Sequence, residues 1–290
     1  MNALVQVPTF TTPASARPRR PVRIETPDGV RLFHRDWGEG RPVVFLHGWA
    51  LTADMWNYQV EPLHRLGLRC IAYDRRGHGR SEDPGFGYDY DTLADDLEAV
   101  LAALDLRDVV LVGHSMAGGE LVRYMTRHGD KDRVAKLLFL SPALPCLLKS
   151  PDNPDGIDRA VFDQVREHGY RRDYAKWLKD NEEPFFVPET SRAMRDWIGE
   201  QMRQVSPKAM LDCNLAMIEA DFRPELAQID LPSLVIHGDR DVSAPLERTG
   251  ARAAALIPGA ELRVYEDAPH GLFVTHMDRL NADILAFAVD

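Results

Sequence analysis

The run Val109 to Gly119, VVLVGHSMAGG, carries an apolar strand straight into Gly113-His114-Ser115-Met116-Ala117-Gly118. A serine on a sharp strand-to-helix turn needs small neighbours, because its backbone is strained and strand and helix pass close together. Gly113, Ala117 and Gly118 supply them, although Ala117 stands where the G-x-S-x-G pattern has its second glycine. The free N–H groups and dipole of the helix that follows favour negative charge beside the serine. These residue types in this order point to a serine nucleophile and acyl transfer.

Such a serine needs a base, a carboxylate to orient the base, and donors for the oxyanion. Tyr265-Glu266-Asp267-Ala268-Pro269-His270-Gly271 places His270 in a loop after the last predicted strand, which completes the order Ser, Asp, His. The acid comes from Leu234-Val235-Ile236-His237-Gly238-Asp239-Arg240-Asp241; Asp241 is the choice, because Val242-Ser243-Ala244-Pro245 leads on to a new helix, while Asp239 is read as stabilising the turn. The slot after the Val134–Leu140 strand, Ser141-Pro142-Ala143, offers no carboxylate. Phe45-Leu46-His47-Gly48-Trp49 ends a strand beside the serine turn, so the backbone N–H groups of Trp49 and Met116 form the expected oxyanion hole. His47 is read as a brace for that turn, and His78, His114, His237 and His276 as packing or surface residues.

Positioning these groups calls for strands that end at one edge. Pro21–Glu25 and Val30–Phe33, separated by Thr26-Pro27-Asp28-Gly29, read as an antiparallel hairpin at the edge of a sheet. Six short apolar runs follow, at Pro42–Leu46, Cys70–Tyr73, Asp108–Val112, Val134–Leu140, Leu234–Ile236 and Leu262–Tyr265, as expected for parallel strands covered on both faces. Helical stretches lie between them. In Asp91–Leu104 the apolar positions 93, 97, 100, 101 and 104 form one stripe. The expectation is an α/β class fold: a doubly wound, mostly parallel eight-stranded sheet with helices on both faces. Residues 21–141 and 225–290 form its core. The aromatic- and methionine-rich stretch 142–224 reads as a helical cap, most of whose aromatics pack within it while some face a ligand, and residues 1–20 as a flexible tail.

Composition excludes several classes. With 44% hydrophobic and 28% charged residues the chain can build a sizeable core. Its net charge of −10 argues against a nucleic-acid surface, which needs clustered cations to displace counterions. No run of eighteen apolar residues suggests a membrane span, and no signal peptide is evident, so the expected location is cytoplasmic. Cys70, Cys146 and Cys213 lack metal-ligand spacing and read as reduced structural thiols. No metal or organic cofactor is expected, and the partner is a small molecule; association into a homo-oligomer is left open.

Together these residues resemble the α/β-hydrolase superfamily from about Val22 onward. Tyr73-Asp74-Arg75-Arg76-Gly77-His78-Gly79-Arg80-Ser81, Gly87 to Leu97, Gly118-Gly119-Glu120 and Ala268-Pro269-His270-Gly271 look like the bacterial arylesterases and cofactor-free haloperoxidases, or perhydrolases. The resemblance implies a serine esterase, and the aromatic-rich cap, which favours apolar ligands, leads to the expectation of a carboxylic ester or lactone with an apolar, small to medium acyl group. Haloperoxidase-like members commonly carry proline after the aromatic residue of the oxyanion turn, where its carbonyl is thought to assist hydrogen peroxide; Ala50 stands there and favours plain ester hydrolysis. Perhydrolysis, carbon–carbon bond hydrolysis and a binding protein without turnover are the alternatives. Ser115 argues against a dehalogenase or epoxide hydrolase of this fold, which would need aspartate there.

Overall fold

The computed structural model describes residues 21–129 and 133–290, so the predicted tail at 1–20 lies outside the described residues. Strands β1 (Arg23–Glu25), β2 (Arg31–Trp37), β3 (Pro42–Leu46), β4 (Arg69–Tyr73), β5 (Val109–His114), β6 (Val134–Leu140), β7 (Ser233–Gly238) and β8 (Glu261–Tyr265) form one sheet. Its order is β1-β2-β4-β3-β5-β6-β7-β8. Among these described strands the pairings β1·β2 and β2·β4 are antiparallel and the rest parallel. The chain winds outward both ways from the β3–β5 junction, the switch point where open α/β sheets gather ligands.

Eleven helices fill the described connections: α1 (Asn57–Arg65), α2 (Tyr90–Ala103), α3 (Ala117–His128), α4 (Arg159–Val165), α5 (Arg171–Asp180), α6 (Arg192–Met202), α7 (Pro207–Glu219), α8 (Arg223–Leu226), α9 (Gly250–Leu256), α10 (Leu272–Thr275) and α11 (Met277–Val289). Because side chains alternate along a strand, the sheet divides the core in two. Val44, Leu46, Leu111, Phe139 and Val235 pack with apolar residues of α2, α3 and α9. Val43, Phe45, Val112, Leu138 and Ile236 pack with residues of α1 and α11. Helices α4 to α8 lie between β6 and β7. Among the described residues no helix is long and apolar enough to cross a membrane.

The apolar runs mark the central strands well, and β5 and β7 are buried throughout. Two details differ. Strand β2 continues past Phe33 to Trp37 because its polar end pairs with β4 and is held by ions: Arg69 donates to both oxygens of Asp36, at 3.0 and 2.8 Å. Strand β8 is not covered on both faces; as the edge strand it leaves Leu262 and Val264 37% and 41% exposed.

One buried ion pair ties the hairpin to the core. Arg76, just beyond β4, donates to both carboxylate oxygens of Asp96 on α2 (2.7 and 2.6 Å) and to Asp28 of the β1–β2 turn (2.9 and 3.1 Å). Arg76 and Asp96 are each 1% exposed, so removing one leaves an uncompensated charge in the interior. Arg76→Met should therefore lower stability by about 3–5 kcal/mol in urea unfolding; an unchanged midpoint would show that the pair contributes little.

Candidate active site

The catalytic candidates meet because the strands that carry them end level with one another. Leu46 of β3 lies opposite Gly113 of β5, His114 opposite Leu140 of β6, Leu140 opposite Ile236 of β7, and Gly238 opposite Tyr265 of β8. The loops that follow carry Trp49, Ser115, Asp241 and His270. Ser115 sits at φ +56°, the left-handed conformation of a strained turn. A Cβ at Gly113 would come within 2.7 Å of the Leu121 side chain and 3.1 Å of the Ala117 backbone, so strand and helix approach as closely as the sequence requires. Ala117 itself is buried at the start of α3, where its methyl group is accommodated.

His270 Nε2 lies 3.0 Å from Ser115 Oγ, and His270 Nδ1 lies 2.6 Å from Asp241 Oδ2. The second Asp241 oxygen accepts the Ala244 N–H at 2.8 Å. Burial pushes the Asp241 carboxyl up, but the charge on His270 and hydrogen bonds from His237 and His270 outweigh it and hold the group below the ordinary carboxylate range. Asp239 is exposed and takes no part in this chain; its backbone N–H, not its carboxylate, serves the turn by donating to Tyr265 O at 3.1 Å.

The two expected oxyanion donors flank Ser115 on separate loops. Gly118 and Gly119 donate their N–H groups to the Ser115 and Met116 carbonyls, and Leu51 donates to Gly48; the N–H groups of Met116 and Trp49 stand outside these turn bonds. The Trp49 loop is clamped from behind. His47 Nε2 accepts the Arg75 N–H at 3.0 Å, which leaves Nδ1 as the protonated nitrogen that donates to Gly48 O at 2.8 Å. Arg75 donates to His47 O at 2.8 Å and pairs with Glu120 of α3 at 2.7 Å, and Tyr73 Oη donates to the same carboxylate at 2.6 Å. His47 thus braces the turn, as its position suggested.

Two of the histidines read from the sequence as packing or surface residues are fully buried and, besides packing, hold site loops. His114 is buried under His270, with ring centroids 4.7 Å apart, and its Nε2 bonds His270 O at 3.1 Å. His237 Nε2 lies 2.7 Å from Ala244 O and 3.3 Å from Asp241 Oδ2. Their signal in the sequence was position alone: each stands at or near the end of a strand whose next loop carries chemistry.

Above Ser115 and His270 opens a cavity of about 410 Å³, whose walls include Leu51, Leu147, Phe162, Trp177, Phe185 and Met217. The residues between β6 and β7 close on it from two sides. Trp49 Nε1 donates to Met210 O of α7 at 2.8 Å, and its ring packs against Tyr170, Tyr174 and Trp177. Phe185 O accepts the Gly271 N–H at 3.1 Å, and a Cβ at Gly271 would come within 2.4 Å of that carbonyl.

A serine on the turn after β5, next to the switch point of a doubly wound sheet, reached by a histidine and an aspartate from the loops after β8 and β7, is the arrangement expected of an α/β-hydrolase. Residues 41–277 match the family model described as the alpha/beta hydrolase fold, and the chain belongs to that family. Among relatives, a non-heme chloroperoxidase from Kitasatospora aureofaciens is 42% identical over 90% of this chain and 97% of its own length. A bifunctional esterase/perhydrolase from Acinetobacter calcoaceticus is 35% identical over 91% of this chain and 98% of its own. Among solved structures, an esterase from Exiguobacterium antarcticum superposes with a TM-score of 0.88 at 31% identity, covering 93% of this chain and 99% of that one. These relatives place the chain in the haloperoxidase-like group of the family.

The buried histidines make acid sensitivity a property of the site's scaffold. Burial and the Arg75 charge push His78 down to about 3, and burial lowers His47 and His114 well below the usual imidazole value. An unfolded histidine takes up its proton near pH 6.5 while the folded one does not, so this stability is complete above that value and is lost progressively as pH falls from it toward the depressed folded-state value. His78 alone should cost about 2 kcal/mol between pH 7.5 and 5. Asp96, pushed up to about 6 by burial, acts in the opposite direction but is one group against three. Urea unfolding should give a lower stability at pH 5 than at pH 7.5; a flat or rising profile would contradict neutral buried rings.

Proposed function

We propose that this chain hydrolyses a carboxylic ester or lactone by acyl transfer, with Ser115 as nucleophile, His270 as general base and then acid, and Asp241 as the group that orients His270. The observation that carries the reading is the unbroken run from Ser115 Oγ through His270 to Asp241, at 3.0 and 2.6 Å, at the foot of the cavity. Ser115 is 8% and His270 6% exposed, shielded from bulk water but open to a ligand in the cavity.

In this mechanism Ser115 Oγ attacks the carbonyl carbon while its proton passes to His270 Nε2. Asp241 accepts the Nδ1–H and stabilises the imidazolium. The negative oxygen of the tetrahedral intermediate is held by the backbone N–H groups of Trp49 and Met116, each worth about 3 kcal/mol in comparable enzymes. His270 then protonates the leaving alcohol, giving the acyl-enzyme. Water, deprotonated by His270, attacks that ester, and Ser115 recovers its proton as the acid departs. Residues 142–224 act as the cap, and the apolar walls they share with the core favour a small to medium apolar acyl group, within the volume range of ordinary ligand pockets.

Peracid formation is the second reading, and the chloroperoxidase and esterase/perhydrolase relatives favour it. Ala50 weighs against it. Its φ of +59° is one that proline cannot adopt, so the main chain after Trp49 does not follow the course a proline there would impose.

A panel of nitrophenyl esters and lactones, run on the protein and on Ser115→Ala beside a peracid assay, separates these readings. Hydrolysis should fall by a factor on the order of 10⁶ in Ser115→Ala with the fold intact, and by about 10⁴ in Asp241→Asn, where the histidine loses its tautomer. Peracid formation should be the minor activity. Ester turnover retained in Ser115→Ala would sink the assignment.

A further inference from the structure

Between α4 and α5 the chain winds through one π-helical turn, Arg166–Tyr170. Such turns re-aim a side chain and recur at functional sites. The first residue of this one, Arg166, is only 7% exposed, yet among the described residues it pairs with no carboxylate. Its Nη1 donates instead to Leu211 O at 2.7 Å and to Asn214 Oδ1 at 2.9 Å, both on α7.

That bond decides which way Asn214 faces. A guanidinium has only donors, so the amide oxygen must turn toward Arg166 and the amide nitrogen away from it. Asn214 is 4% exposed and lines the cavity that holds Ser115 and His270. Among the described residues no acceptor takes its Nδ2 hydrogens. The Nδ2 atom is not sealed off by protein, so a donor without a protein acceptor, locked in orientation by a buried cation, stands open to an oxygen acceptor in the cavity.

Its place relative to the reacting atoms follows from α7. Met210 O holds the indole of Trp49, whose backbone N–H is the proposed oxyanion donor. Asn214 is four residues on, about one helical turn and some 6 Å along the axis. A substrate whose scissile carbonyl oxygen sits between Trp49 and Met116 could therefore place a second oxygen at Asn214.

We propose that Asn214, held by Arg166, is a specificity residue that donates a hydrogen bond to a second oxygen of the substrate, and that the preferred esters carry a ketone carbonyl beyond the bond that is cut. This rests on the assignment of Ser115 as nucleophile. It makes the cavity, whose lining also carries charged side chains such as Asp155, Arg248 and Arg252, favour substrates that offer Asn214 an acceptor, because a site built to hydrogen-bond an oxygen discriminates against an analogue that lacks it.

The test compares matched esters: nitrophenyl 4-oxohexanoate and 5-oxohexanoate against nitrophenyl hexanoate, and 3-oxobutyl hexanoate against butyl hexanoate. In the wild-type protein kcat/KM should favour the oxygenated member in at least one series by about tenfold, the worth of one good hydrogen bond. Asn214→Asp keeps an oxygen against Arg166 but removes the N–H₂ donor, and the preference should disappear. Calorimetry on Ser115→Ala should show the same preference in binding, without turnover. No preference in any series, or one that survives Asn214→Asp, overturns the proposal. Turnover that persists in Ser115→Ala would instead defeat the nucleophile assignment, so the two failures read differently.

Discussion

Ser115 is held at φ +56°, a conformation that a residue with a Cβ adopts only where its surroundings insist on it, at a cost of order 1–3 kcal/mol. The surroundings here are specific. The Ser115 N–H donates to Leu140 O at the end of β6, and its carbonyl accepts N–H groups from Gly118 at 3.0 Å and Ala143 at 3.1 Å. Those bonds fix the turn to the neighbouring strand on one side and to the first turn of α3 on the other. The result is a side chain lifted from the strand end toward His270, and two loops of backbone aimed at the space in front of it. Regular strand or helix geometry at this residue would turn Oγ away from the space in front of His270.

The same turn depends on a buried charge. Glu120, in the first turn of α3, holds Arg75 and Tyr73 at the end of β4, and Arg75 in turn holds both the His47 carbonyl and, through its own N–H, the His47 ring. Elbow helix, β4 loop and Trp49 loop are thereby fixed to one another by groups that are almost wholly buried. Such a pair is a weak source of net stability, since the interior strips water from both charges before their attraction offsets that loss. Its geometric consequence is larger: the placement of the Trp49 loop relative to the Met116 turn, on which the proposed oxyanion hole would depend, is set by a network that tolerates few other arrangements.

Much of this was legible in the sequence because the relevant signals are local. The apolar runs that became β3, β5, β6 and β7 are short, continuous and bounded; Ser115 follows β5 and Asp241 follows β7, while His270 follows the more exposed edge strand β8. Asp241 and Asp239 differ by only two positions, and the choice between them rested on where the next helix begins; the fold buries Asp241 beside His270 and leaves Asp239 exposed. What stayed hidden was long-range. The polar end of β2 gave no strand pattern because ion pairs, not apolar burial, hold it against β4. His114 could not be told from an ordinary buried histidine, since its partner, the carbonyl of His270, is 156 residues away. The pairing of Arg166 with Asn214 spans 48 residues of a segment with no sheet periodicity to fix its register.

The claim on which the rest depends is that Ser115 carries the acyl group. Brief exposure to a fluorophosphonate, followed by proteolysis and peptide mass measurement, tests it directly. One equivalent of adduct should form, on the peptide that contains Ser115, with loss of ester hydrolysis in step with labelling. An adduct on the peptides bearing Ser141 or Ser243 instead, or full labelling of Ser115 with hydrolysis undiminished, would contradict it.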